Sequence, residues 1–191
     1  MAINATPLGL RPINLIGGRV YAGAVRHFKI ASGFGTNIFN GDIVKLVTAG
    51  VVEKDTGTTA CTPVGVFVGC AFTDPNSEQM TFKNNWPAST VAADATAYVV
   101  DDPDVLFRIQ ADASIAQAGL GANFAVVQGA GSTSTGNSAV SLDASTVATT
   151  NTLPLRLIGF VESPDSAVGD AFTDCIVKWN AGHAYNNTTG I

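Results

Sequence analysis

The chain has 191 residues, of which 46% are hydrophobic and only 13% are charged, and its formal net charge at pH 7 is -5. This composition excludes an intrinsically disordered chain, and the length can bury one sizeable core. Ten basic residues against fifteen acidic ones argue against binding to nucleic acid, because contacts with the phosphate backbone require clustered Lys and Arg. With so few charges, we expect much apolar area to be hidden in a large interior or in contacts with other copies.

Two stretches bear on membrane association. Residues 1–15, MAINATPLGLRPINL, lack the basic and apolar regions of a secretory signal. Residues 61–72, CTPVGVFVGCAF, carry no charge, but the run contains two glycines and is shorter than the roughly 18 apolar residues of a membrane-spanning helix. We therefore predict no membrane contact, and we interpret residues 61–72 as a buried strand or as a surface covered by another subunit.

The beginning of the chain predicts an N-terminal arm. Residues 1–24 contain two prolines and four glycines among dispersed apolar residues, which favours an irregular segment lying across another surface over a strand of its own. The candidate anchors of this arm on a partner are its apolar side chains Ile3, Leu8, Leu10 and Ile13. Residues 25–180 are expected to form a single β domain, and residues 181–191 a C-terminal tail.

The middle of the chain predicts about ten short strands, separated by Gly, Asn, Asp and Pro, as in a β-sandwich or β-barrel. The runs are VRHFKIA (25–31), DIVKLVT (42–48), GVVEK (50–54), VGVFVGCAF (64–72), QMTFK (79–83), AYVV (97–100), VLFRIQ (105–110), NFAVV (123–127), SAVSLD (138–143), LRLIGFV (155–161) and TDCIVKWN (173–180). The second and third runs are expected to form a hairpin. The one plausible helix is a short one in DASIAQAG, residues 112–119.

Residues that could carry chemistry are few. Cys61, Cys70 and Cys175 cannot all pair within one chain and show no metal-binding spacing, so we interpret them as free thiols and expect no cofactor. His27 and His183 lie outside any recognisable nucleophile motif. The sequence therefore predicts no enzymatic activity.

An acidic cluster and a glycine-rich loop are the remaining candidate ligand sites. Asp101, Asp102 and Asp104 could supply oxygen ligands to a cation such as Ca²⁺, but they lack the spacing of a calcium loop, and turn chemistry explains them equally well. No metal site is predicted, and whether the three carboxylates bind an ion stays open. GAGSTSTG, residues 129–136, lacks the lysine of a phosphate-binding loop and is interpreted as a flexible loop.

Aromatic side chains are the candidate subunit contacts. Trp86 precedes Pro87 in the polar segment NNWPAST, residues 84–90. It could pack beneath its own loop, contact another subunit, since Trp is enriched at interface hot spots, or form a sugar-binding platform. We name Trp86, Phe82 and Trp179 as candidate subunit-interface residues.

Several segments resemble structural proteins of tailed bacteriophages, especially phages of aquatic bacteria. The segments are GDIVKL (41–46), PVGVFVGCAFTD (63–74), NNWPAST (84–90), AYVVDDPDVLFRIQAD (97–112) and GFVESPDSAVGDAF (159–172), and the resemblance extends from about Leu10 to His183. It implies a capsid decoration protein, also called a cement protein, similar to small β-tulip-like proteins that reinforce the outside of the icosahedral shell. The implied partners are the major capsid protein and other copies of the chain, as a homotrimer or a dimer, assembled in the host cytoplasm.

Two other functions stay open at this point. A tail or head-fibre component would lie at a unique vertex or form rod-like trimers. A lectin-like or hydrolytic domain would bind glycans through Trp86 or lose turnover on substitution of His27. For the decoration protein, deletion of residues 1–20 is expected to leave a folded chain that binds shells poorly.

Overall fold

The computed structural model describes residues 4–180, 182–186 and 190, and these residues form a mainly β fold, as the sequence predicts. The strands are β1 Arg11–Leu15, β2 Arg26–Lys29, β3 Ile43–Leu46, β4 Val52–Lys54, β5 Gly65–Thr73, β6 Met80–Lys83, β7 Thr96–Val100, β8 Val105–Gln110, β9 Asn123–Phe124, β10 Val126–Val127, β11 Ser141–Leu142, β12 Leu155–Phe160 and β13 Asp174–Trp179. None of the helices in this part of the chain has the length and hydropathy needed to cross a membrane.

Two antiparallel sheets form the body of the fold. The five-stranded sheet has the order β1-β8-β13-β12-β9. The six-stranded sheet has the order β2-β7-β5-β3-β4, and β6 pairs with β5 outside this path. The predicted hairpin is confirmed, because β3 and β4 pair with Lys45 opposite Glu53. A separate short pair joins β10 to β11.

The first hydrophobic core lies between the two sheets. In β8, Val105, Phe107 and Ile109 are buried and alternate with more exposed residues, which is the pattern of a strand with one face inward. They share one cluster with Val66 of β5 and Val100 of β7 from the six-stranded sheet. Because each large apolar side chain contributes about 1.5–3 kcal/mol when fully buried, this layer holds the sheets face to face as a sandwich.

The second core covers the other face of the six-stranded sheet. Phe67 and Phe72 of β5 pack there with Ile30, Ile38 and Trp86, which come from the connecting segments. Since Val66 belongs to the first core and Phe67 to the second, both faces of β5 are buried. The uncharged run at 61–72 is therefore a core strand, one of its two predicted alternatives, and its own chain covers it.

Gly65 allows the strands of the six-stranded sheet to approach closely. A Cβ atom at this position would overlap the carbonyl oxygen of Val100 on β7. A β-bulge lies between Phe67 and Gly69, which are opposite Val99 and Tyr98. The glycines of this run thus permit close backbone approach, as their alternation with Phe67 suggests.

A buried ion pair ties β3 and β4 to a distant loop. The Asp42 carboxylate lies 2.9 Å from the ammonium nitrogen of Lys54. It also accepts hydrogen bonds from the Phe39 backbone N–H at 2.8 Å and from the Ser138 hydroxyl at 2.6 Å. Asp42 is fully buried, so these three donors replace the water that the carboxylate loses on folding.

The prediction of an irregular N-terminal arm without a strand of its own is wrong for Arg11–Leu15. Residues Arg11–Leu15 form β1 and pair with β8, with Arg11 opposite Arg108. Leu10 is fully buried in the first core. Pro12 obscures the strand in the sequence, but β1 is an edge strand, where a residue without a backbone N–H is tolerated.

The short helix predicted within residues 112–119 is present only as a single 3-10 turn, Gln117–Gly119. A second such turn, which was not predicted, spans Ala144–Thr146. The potential helix-capping groups bind elsewhere, because Asp112 accepts a hydrogen bond from the Ala144 backbone N–H and the Ser114 hydroxyl donates to the Gly169 carbonyl.

Candidate interaction surfaces

Trp86 and Trp179 lie in the cores, so the prediction that they contact another subunit is wrong for both. Trp86 is fully buried, its indole N–H donates to the Phe34 carbonyl at 3.2 Å, and its ring meets the edge of Phe72 at 5.3 Å between centroids. Trp179 is buried against Phe107 at 5.5 Å. The chain itself covers both rings, and a sugar-binding platform on Trp86 is equally excluded.

Phe82 is exposed, in contrast to the two tryptophans. It lies on β6 with 71% of its surface accessible, and Met80, two residues earlier on the same face, has 62% accessible. The Phe82 ring is nearly parallel to the ring of Tyr98, with 6.4 Å between centroids, and His27 meets Tyr98 edge-on at 4.8 Å. This aromatic row crosses the six-stranded sheet on a face that leaves Phe82 and Met80 open to solvent.

Small residues of β5 leave space beneath the row. Tyr98 is opposite Gly69 and Phe82 is opposite Ala71. A groove of about 230 Å³ lies here, and Gly69, Phe82, Lys83 and Tyr98 are among the residues that line it. We call Met80, Thr81, Phe82 and Lys83 the β6 edge, since within the described residues β6 pairs on one side only, with β5.

The predicted anchors of the N-terminal segment have different environments. Ile3 lies outside the described residues, Leu10 belongs to the core, Ile13 is half-buried, and Leu8 is 49% exposed. Val20, which follows β1 and was not among the predicted anchors, is 77% exposed. The neighbours of Val20 are mostly glycines and polar residues, so no hydrophobic periodicity in the sequence predicts that its side chain is exposed.

A groove of about 380 Å³ separates part of this segment from β8, and its lining includes Leu8, Ile13, Arg11 and Arg108. The polar groups there are already paired. Arg108 donates to Asp174 at 2.7 Å, and Arg11 donates to the side chains of Asn40 and Asn137. Burial lowers the pKa of Arg11.

The acidic cluster is engaged by hydrogen bonds and ion pairs. Asp101 lies 2.8 Å from Arg26 and accepts a hydrogen bond from the Tyr185 hydroxyl at 2.8 Å. Asp104 binds Lys178 at 2.9 Å, and the hydrogen bond from this lysine is the main reason for the lowered pKa of Asp104. No group of three or more potential metal ligands comes together in the part of the chain that the structure describes.

The three cysteines and His183, which are the remaining candidate nucleophiles and bases, are buried in the interior. Cys61, Cys70 and Cys175 are free and buried, and burial raises the pKa of each thiol to about 12. His183 is fully buried, its Nδ1 accepts a hydrogen bond from the Tyr185 backbone N–H at 3.3 Å, and burial lowers its pKa. A buried neutral imidazole and buried protonated thiols act as packing groups.

These features define the molecule as a β-sandwich. Among its described residues, the most exposed large apolar side chains are Val20 after β1, Phe82 and Met80 on the β6 edge, and Val91 and Val147 outside the strands. No protein-family model matches the chain, and no curated protein or solved structure matches it.

Proposed function

We propose that this chain is a structural protein of tailed-bacteriophage particles that decorates the outer surface of the capsid as a symmetric oligomer and has no enzymatic activity. One observation carries the proposal: large apolar side chains stand exposed on a fold whose two cores are otherwise well packed. Val20, Met80 and Phe82 each expose more than half of their surface, as do Val91 and Val147. Met80 and Phe82 lie next to each other on one face of β6, and contiguous exposed apolar groups of this kind are typical of surfaces that a partner covers.

The charge distribution supports a position outside the shell, away from the packaged genome. Among the described residues, four basic side chains are paired with Asp carboxylates, namely Arg26, Lys54, Arg108 and Lys178. With a net charge of -5, little positive charge is left to attract a phosphate backbone.

The N-terminal segment is the proposed contact with the capsid, on a smaller set of anchors than the sequence suggests. Leu8 and Val20 are exposed, and Ile13 lines the adjoining groove, whereas Leu10 belongs to the core. Deletion of residues 1–20 would remove Leu10 and β1 together and would destabilise the sandwich. Point substitutions of the exposed anchors are therefore the appropriate perturbation.

The test is cosedimentation of the purified chain with expanded, DNA-free capsids of the phage that encodes it. The wild type should pellet with capsids and not with free capsid protein. Leu8→Glu and Val20→Glu should each reduce the bound fraction, because a carboxylate replaces an apolar anchor. Val147→Glu, at another residue that is 53% exposed, is the matched control and should bind as the wild type does.

Imaging of intact particles separates the proposal from the tail or fibre alternative. A decoration protein should occupy many equivalent positions over the whole shell, because its reinforcement depends on many modest contacts acting together. Density confined to one vertex or to the tail would contradict the proposal, as would a wild-type chain that never pellets with capsids.

A further inference from the structure

We propose that two copies of this chain associate through the β6 edge, with β6 of one copy pairing antiparallel to β6 of the other around a twofold axis. The inference concerns the isolated chain and does not depend on capsid binding. The sequence leaves a homotrimer or a dimer open, and this pairing would favour the dimer.

On the side of β6 that faces away from β5, backbone N–H and C=O groups are available for pairing with another strand. The Asp74 N–H donates to the Gln79 carbonyl at 3.0 Å, so residues 74 and 79 form a hydrogen-bonded pair at the start of the β5–β6 hairpin. Hydrogen-bonded and non-hydrogen-bonded pairs alternate along antiparallel strands. The pair Phe72 and Thr81 is therefore hydrogen-bonded, and the N–H and C=O groups of Met80 and Phe82 point away from β5.

One register satisfies these groups and covers the exposed side chains at the same time. If the twofold axis passes beside Thr81, Met80 of each copy lies opposite Phe82 of the other. The outward backbone groups of both residues then bond across the axis. The two exposed apolar side chains of the strand also meet as thioether–aromatic pairs, which are favourable contacts.

Charge favours the antiparallel arrangement. Glu78 is exposed just before β6, and Lys83 is exposed at its end. Antiparallel pairing brings the carboxylate end of each strand towards the ammonium end of the other. Parallel pairing would instead place like charges side by side.

The opposite edge of the same sheet is a poorer candidate. β2 carries Arg26 and Lys29, and both are exposed. Lysine and arginine on an edge strand discourage edge-to-edge pairing, and β2 has one at each end, whereas β6 has a single basic residue, Lys83, with neither a proline nor a bulge in its pairing with β5. In addition, the parallel contact with Tyr98 orients the Phe82 ring before any partner arrives.

A disulfide test reports the proposed register directly. In this register, Thr81 faces Thr81 of the second copy as a non-hydrogen-bonded pair, with Cα atoms about 4.5 Å apart. This distance suits a disulfide. Thr81→Cys should therefore give a disulfide-linked dimer with oxidised glutathione, seen on a non-reducing gel and lost on reduction.

Gln79→Cys is the matched control. Residue 79 would lie opposite residue 83 of the second copy, so the two cysteines would be about 13 Å apart, beyond disulfide reach. The wild type should not cross-link either, because its three cysteines are buried. Equal cross-linking of Thr81→Cys and Gln79→Cys, or none in either, would overturn the proposal.

Sedimentation equilibrium tests the association without a covalent bond. A single pair of short strands buries less than the roughly 1,200 Å² of stable interfaces, so the dimer should dissociate on dilution. Phe82→Glu should raise its Kd by at least about tenfold, because it places a carboxylate at the centre of the contact. Val147→Glu should leave Kd unchanged.

A chain that stays monomeric at high concentration, or an oligomer that Phe82→Glu leaves intact, would overturn the strand-pairing proposal. Either result would contradict the symmetric oligomer but would leave the binding of single copies to capsids, which cosedimentation tests, as a separate question. Conversely, a dimer that cross-links through Thr81→Cys but does not pellet with capsids would contradict the proposed function and leave the strand-pairing proposal intact.

Discussion

Replacing Trp86 by alanine distinguishes a core residue from an interface residue. The ring is fully buried, contacts Phe72 edge-on and donates a hydrogen bond to the Phe34 carbonyl. Truncation of a buried Trp or Phe to alanine costs about 3–5 kcal/mol. Loss of the indole donor leaves a carbonyl without its partner, which adds about 1 kcal/mol. Because domains of this kind are stable by about 5–15 kcal/mol, Trp86→Ala should remove a large part of the free energy of unfolding.

The assay is guanidinium unfolding of monomeric protein, followed by far-ultraviolet circular dichroism so that the missing fluorophore does not affect the signal. Trp86→Phe keeps an aromatic ring and loses the donor, so it should cost about 1–3 kcal/mol. Phe82→Ala, at the exposed ring on β6, should change stability by no more than about 0.5 kcal/mol. If Trp86→Ala unfolds at the wild-type midpoint but weakens self-association, the assignment of Trp86 to the core is refuted.

Three further predictions follow from buried groups. Asp42→Asn leaves the Lys54 ammonium unpaired and should cost about 3–5 kcal/mol in denaturant unfolding, and adding Lys54→Met should recover part of this loss. Burial lowers the pKa of His183 below its usual 6.5, so in mildly acidic solution the unfolded chain binds a proton that the folded chain does not. The free energy of unfolding should therefore fall as the pH drops below about 7. In thermal scans from pH 7 to 5, His183→Phe should flatten this dependence. Gly65→Ala should lower the midpoint of thermal unfolding by a shift equivalent to about 1–3 kcal/mol, because its Cβ overlaps the Val100 carbonyl; an unchanged midpoint would contradict that close approach.

The strands could be predicted because their local pattern reflects their burial. In β8, buried and more exposed residues alternate, as expected for a strand with one covered face. In β5, apolar residues are continuous because each face meets a different core. The hairpin of β3 and β4 followed from turn residues between two apolar runs. In each case the signal lies within a few neighbouring residues.

The errors arise where burial depends on distant segments. The sequence of β1 suggests an irregular segment because it contains Pro12. The strand forms because it pairs with β8, whose residues lie about ninety positions further along the chain. The polar neighbours of Trp86 suggest a surface loop, yet its backbone pairs with Ile38 and its indole binds Phe34. The ion pair joins Asp42, the residue before β3, to Lys54 of β4, and no sequence motif marks it.

Phe82 and Trp86 lie four positions apart but differ completely in exposure, because one is open to solvent and the other is fully buried. Both were candidate subunit contacts, but Trp86 lies where the chain crosses back over the second core, whereas Phe82 lies on a strand with a neighbour on one side only. Whether an aromatic side chain is exposed therefore depends on the position of its segment in the fold, which local composition does not encode. The proposed capsid anchors lie on β1 of the five-stranded sheet or next to it, whereas the β6 edge belongs to the six-stranded sheet. Since separate sheets carry the two proposed contacts, Phe82→Glu should weaken pairing by at least about tenfold and leave the capsid affinity of a single copy intact, and any loss of capsid binding should reflect only the loss of avidity.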